Sequence, residues 1–145
     1  MNNRYTIAIT GLVLVAASFG VVFAHGTENH GKKSMAADAQ MKKLHAMMPM
    51  FSLASAGLET ALEKGEVTVV EAEAEKIITA IPDLKKSKPH KNIQQRKKFV
   101  ELATSLEKAV ASAVDLAKKG DFAGAKSAFK DVEKACAACH ARFRD

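Results

Sequence analysis

The two cysteines of this 145-residue chain stand three positions apart in KACAACHARFRD, residues 134–145, and a histidine follows the second at once. C-x-x-C-H is the attachment signature of a c-type haem. Two intervening residues let both sulfurs meet the two vinyl groups on one porphyrin edge, and the next residue turns its imidazole toward the iron. Cys136 and Cys139 are therefore the expected covalent anchors of one haem c, with His140 as the expected proximal ligand of its iron. A zinc site wants four ligands, and no second C-x-x-C or H-x-x-x-H supplies them. A thioredoxin-type dithiol belongs in a βαβ setting, whereas this motif ends an Ala-rich stretch. A haem-free helical interaction protein with a Cys136–Cys139 bridge stays as a further alternative, although so small a loop adds little stability.

The first residues bear on where such chemistry takes place. MNNRYTIAITGLVLVAASFGVVFAHG has one positive charge at Arg4, an apolar run from Ile7 to Phe23 and small residues toward its end. This is the layout of a secretory signal peptide over 1–24, with Val22 and Ala24 before the cut and His25 after it. Export places the protein in the periplasm. An uncleaved anchor is the competing reading, since the run is nearly long enough to span a bilayer; after cleavage no stable membrane span remains. Loss of Arg4 takes the formal charge from +6 to +5. That excess is modest, favours acidic partners and comes with no nucleic-acid motif.

The elements that must position the motif read as helices. The composition is rich in Ala, Glu, Lys and Leu, with no Trp and one Tyr. Residues 25–35 are polar and aperiodic and read as a flexible arm, followed by one domain over 36–145. A first helix is expected from Ala36 to Lys64, with Met41, Leu44, Met48, Phe51, Leu58 and Leu62 near one stripe. A second is expected from Thr68 to Ile81, stopped by Pro82. A loop with two prolines and a lysine run follows, then a third helix from Ile93 to Lys119. The fourth, N-capped by Asp121, carries the cysteines and continues to about Phe143. Short links imply antiparallel neighbours, so the expected fold is all-α, an antiparallel up-down four-helix bundle with covalently attached haem.

An attachment site on the last of four helices resembles the class II c-type cytochromes, the cytochrome c prime family. The resemblance is specific at Cys136, Cys139, His140, Arg142 and Phe143 and otherwise rests on helix order. It implies a haem held between the first and last helices and a distal residue from early in the first. There the sequence offers QMKKLHAMMPMF. Met48 follows the core stripe, His45 lies one turn before it, and Pro49 removes the N–H owed to the His45 carbonyl. Met48 is the first distal candidate and His45 the alternative, with neither as the remaining option. The resemblance also implies that two bundles can pair as a homodimer.

Function follows the cofactor. No nucleophile with a base, no paired carboxylates and no phosphate loop are apparent, so no enzyme is expected. A one-electron carrier serving redox partner proteins is the leading reading; a high-spin haem protein binding nitric oxide or carbon monoxide is the alternative. Lys85, Lys86, Lys88, His90 and Lys91 are expected near the haem end, facing either propionates or a partner.

Overall fold

The structure is a computed structural model that describes residues 30–144, with side chains from residue 39 onward. The expected signal peptide and the start of the arm lie outside the described residues. Four helices make up the fold: α1 (His30–Lys64), α2 (Val67–Lys86), α3 (Arg96–Lys118) and α4 (Phe122–Phe143). Each packs on the next in chain order, and α1 closes the ring against α4. This is the expected four-helix bundle. The α3–α4 and α1–α2 contacts are the most extensive and the α1–α4 seam the sparsest of the four.

Two tight turns set the antiparallel pairs. Gly65 at φ 74° and Gly120 at φ 77° follow α1 and α3 in the left-handed region that glycine enters without a Cβ clash. The next residue closes each turn onto its helix, with Glu66 N–H donating to Ala61 O at 2.9 Å and Asp121 N–H to Leu116 O at 3.0 Å. Asp121 then caps α4, accepting from Gly124 N–H at 2.8 Å.

The apolar stripes of all four helices meet in one core. Leu58, Leu62, Val70, Val110 and Val132 are almost wholly buried. Removing a side chain such as Leu58 costs about 2–5 kcal/mol, because so tight an interior collapses only partly around the gap.

The helix ends differ from the sequence expectation in ways that packing explains. Backbone helix starts at His30 rather than Ala36, since a helix once anchored extends at little cost through residues that tolerate it. Pro82 does not stop α2, which runs on to Lys86. An interior proline costs about 3 kcal/mol, but Ile81 and Leu84 on either side of it are buried, and their packing offsets the lost hydrogen bond. Val69 is exposed. Ile93 lies outside α3 and is 62% exposed, because Asn92 turns the chain at φ 54° and α3 begins only at Arg96.

The α2–α3 loop is held at both sides. Arg96 donates from Nη1 to Ser87 O at 2.7 Å and from Nη2 to Lys85 O. It thereby ties down carbonyls at the C-terminal end of α2. Beyond it the loop docks on the end of α4, so 87–95 lies at the same end of the bundle as the C-x-x-C-H run.

Candidate functional site

Helical spacing places Cys136, Cys139, His140 and Phe143 along one stripe of α4. That stripe forms one wall of a pocket of ≈ 330 Å³, to which Cys139, His140, Phe143 and Arg144 contribute. Leu44, His45, Met48 and Pro49 of α1 form another, with His90 of the loop and Phe99 of α3 completing the lining. Phe99 and Phe143 meet edge to face, with centroids 5.2 Å apart and planes at 88°. The pocket thus sits in the α1–α4 seam, the sparsest of the four helix contacts. Cys136 lies outside its lining but packs against the core beside it.

Electrostatics at the α4 wall follow from burial. Both thiols are free and half-buried. Desolvation pushes Cys139 up to about 11, and the neighbouring Cys136 sulfur adds to the rise. Cys136 is also raised, first by burial and then by the Glu133 carboxylate. Burial lowers His140, with the Arg144 charge acting the same way. At neutral pH these groups are therefore two thiols and a neutral imidazole. A redox dithiol needs a depressed thiol pKa; this environment does the reverse. A neutral imidazole, by contrast, is the form that ligates a metal. Among the described residues no three or more His, Cys, Asp or Glu side chains gather into a metal-ion site.

A haem fits what these residues offer. The lining is mostly apolar, the sulfur of Cys139 and the imidazole of His140 belong to one wall, and a thioether and a second imidazole belong to the facing one. Cys136, Cys139 and His140 would hold the group from α4. The pocket volume is within the range of about 300–1,000 Å³ usual for cofactor and small-molecule sites.

On the facing wall Met48 is half-buried, while the methionine fully in the core is Met47, 6% exposed. The stripe expected through Leu44, Met48 and Phe51 thus runs through Leu44, Met47 and Phe51, and Met48 is rotated to the pocket side. His45 is exposed, and its Nε2 lies 3.2 Å from Nε2 of His90. The two rings are near parallel, at 14°, with centroids 5.1 Å apart.

The lysine run is only partly at this site. Lys85 is bound to Glu107 at 2.5 Å, Lys86 and Lys88 are exposed, and His90 alone of the five expected residues reaches the pocket lining. The cation in the lining is Arg144, which the sequence reading did not single out, although it lies four residues after His140, at the C-cap of α4.

Residues 82–144 match the family model described as Cytochrome C'. That stretch is similar to cytochromes of the cytochrome c prime type. The matched region takes in the end of α2, the loop, α3 and the whole of α4 with Cys136, Cys139 and His140, and stops short of α1 with His45 and Met48. Cytochromes of this family carry haem c and its iron, in keeping with the chemistry of the α4 wall. No curated protein and no solved structure matches the chain. No helix among the described residues is long and apolar enough to cross a membrane.

Proposed function

We propose that this cytochrome c prime-type chain is an exported, periplasmic one-electron carrier rather than an enzyme. One haem c is held by thioether bonds to Cys136 and Cys139, with His140 as proximal ligand and Met48 as distal ligand. When bound, the haem supplies reversible one-electron chemistry at its iron. The protein's part is to fix the ligands and limit water. Burial keeps His140 neutral, α4 fixes its position, and the Phe99–Phe143 pair supplies an apolar wall beside it.

The observation that carries the choice of Met48 is the engagement of His45. Its imidazole is exposed and meets His90, which leaves the half-buried Met48 as the side chain better placed for the distal role. A thioether opposite an imidazole gives iron six ligands in both oxidation states, which suits electron transfer because little reorganises when the electron moves. Lys86 and Lys88, exposed on the segment that borders the pocket end, favour an acidic face on the redox partner. A second reading has one observation in its favour: Met48 is only half-buried, and a distal residue held that loosely would leave room for nitric oxide or carbon monoxide.

Absorption spectra of the oxidised and reduced protein, with and without carbon monoxide, separate the two. Low-spin spectra with slow or absent carbon monoxide uptake are expected. A high-spin spectrum with ready uptake would replace the carrier by the gas binder.

A further inference from the structure

His45 and His90 come from different elements, a helix and a loop 45 residues further on, yet their Nε2 atoms converge to 3.2 Å. We infer that this pair is a second metal site: it takes one late first-row divalent cation, Zn²⁺, Ni²⁺ or Cu²⁺, with water filling the remaining positions.

Separation is the first argument. Two imidazole nitrogens bound cis to one such ion at about 2.0–2.1 Å lie roughly 2.8–3.4 Å apart for bond angles between the octahedral and the tetrahedral value. The observed separation needs no side chain to move far.

Protons supply the second. Between two imidazoles hydrogen-bonded through Nε2, one nitrogen donates and the other accepts. A cation takes the place of that shared proton if the donor ring shifts its hydrogen from Nε2 to Nδ1. The pair then loses no proton overall and presents two lone pairs.

Backbone support comes third. His45 stands on a continuous helix, α1. His90 follows buried Pro89 and precedes Lys91 and Asn92, whose backbone and side chain are bonded to the end of α4. Such anchoring lowers the entropy lost on binding. Among the described residues no third His, Cys, Asp or Glu joins the pair, and Asp83, the carboxylate at the end of α2, is bound to Lys43 at 2.7 Å. A nitrogen-only set selects late transition metals over Mg²⁺ and Ca²⁺, which want oxygen. Two protein ligands also make the site exchangeable. Occupied, it would clip α1 to the loop across the mouth of the pocket.

Zn²⁺ is the probe, because it brings no redox chemistry to a haem protein. Calorimetric titration of the purified holoprotein should show one Zn²⁺ at this site. His90→Ala and His45→Ala should each weaken it at least about ten-fold, and the double variant should bind no more weakly than the singles, since both residues serve one ion. Circular dichroism checks that the helices are intact. Absence of uptake by the unaltered protein overturns the inference. So does unchanged uptake by His90→Ala, which would place the ion elsewhere on the chain. Losses that multiply in the double variant would mean two separate one-histidine sites and overturn it as well. None of these outcomes depends on the spin state that decides between carrier and gas binder.

Discussion

Asn92 Nδ2 donates to the backbone carbonyl of Arg142 at 2.7 Å, across fifty residues of sequence. It satisfies one of the last carbonyls of α4, which have no partner within the helix. Beside it Lys91 N–H donates to Phe143 O at 3.3 Å. The loop that carries His90 is thereby fastened to the helix end that carries His140.

Asn92 is at φ 54°, which separates two substitutions. Asn92→Gly keeps the backbone conformation and loses both side-chain bonds, to Arg142 O and from Gln95 Nε2, for about 1 kcal/mol each. Asn92→Ala loses the same bonds and adds left-handed strain of about 1–2 kcal/mol. Denaturant midpoints should therefore fall in the order native, Gly, Ala. Equal losses for Gly and Ala would show that the conformation at residue 92 carries no cost.

Covalent attachment needs both sulfurs, one for each vinyl group. Cys136→Ser combined with Cys139→Ser is expected to give protein with no haem on a denaturing gel stained for haem peroxidase activity. A band persisting at the position of the chain would defeat the assignment of these two residues.

The distal wall gives a pair of opposed outcomes. Met48→Ala should yield a high-spin, carbon monoxide-accessible iron, while His45→Ala should shift the reduction potential and keep low spin. Opening of the site by His45→Ala alone would make the histidine the ligand, with a lower potential than methionine gives.

In haem-free protein the thiol of Cys139 titrates at about 11, above the ordinary value of 9.0. The folded state therefore favours the protonated form. Its contribution to stability is complete below about pH 9 and is lost as pH rises through about 11. Melting temperatures from pH 8 to 11 should fall more steeply for haem-free protein than for its Cys139→Ala variant. Parallel curves would assign the slope to other groups.

Much of this was legible in the sequence because the physics is local. The 3.6-residue pattern and the Asp121 cap mark four helices, and the structure has all four. Where distant residues decide, the reading failed or was silent. The Pro82 rule lost to the burial of Leu84, visible only once α2 is packed. The choice between Met47 and Met48 for the core turns on about 100° of helix rotation, which α1's neighbours set. Arg96 on Ser87, Asn92 on Arg142 and His45 on His90 are contacts across loops or between elements, and no periodicity announces them.

The sparse α1–α4 seam divides the pocket between two hairpins. The hairpin of α3 and α4 carries both thiols and the proximal imidazole, that is, everything that would grip a cofactor. The hairpin of α1 and α2 contributes His45 and Met48, the wall that would set how the iron behaves. On the proposed reading, retention and reactivity would thus fall on separate halves of the chain. If the proposed haem is bound, exchange of His45 or Met48 would change coordination, potential or gas access while Cys136, Cys139 and His140 keep their grip, and the bundle would be a scaffold whose chemistry is tunable from one helix.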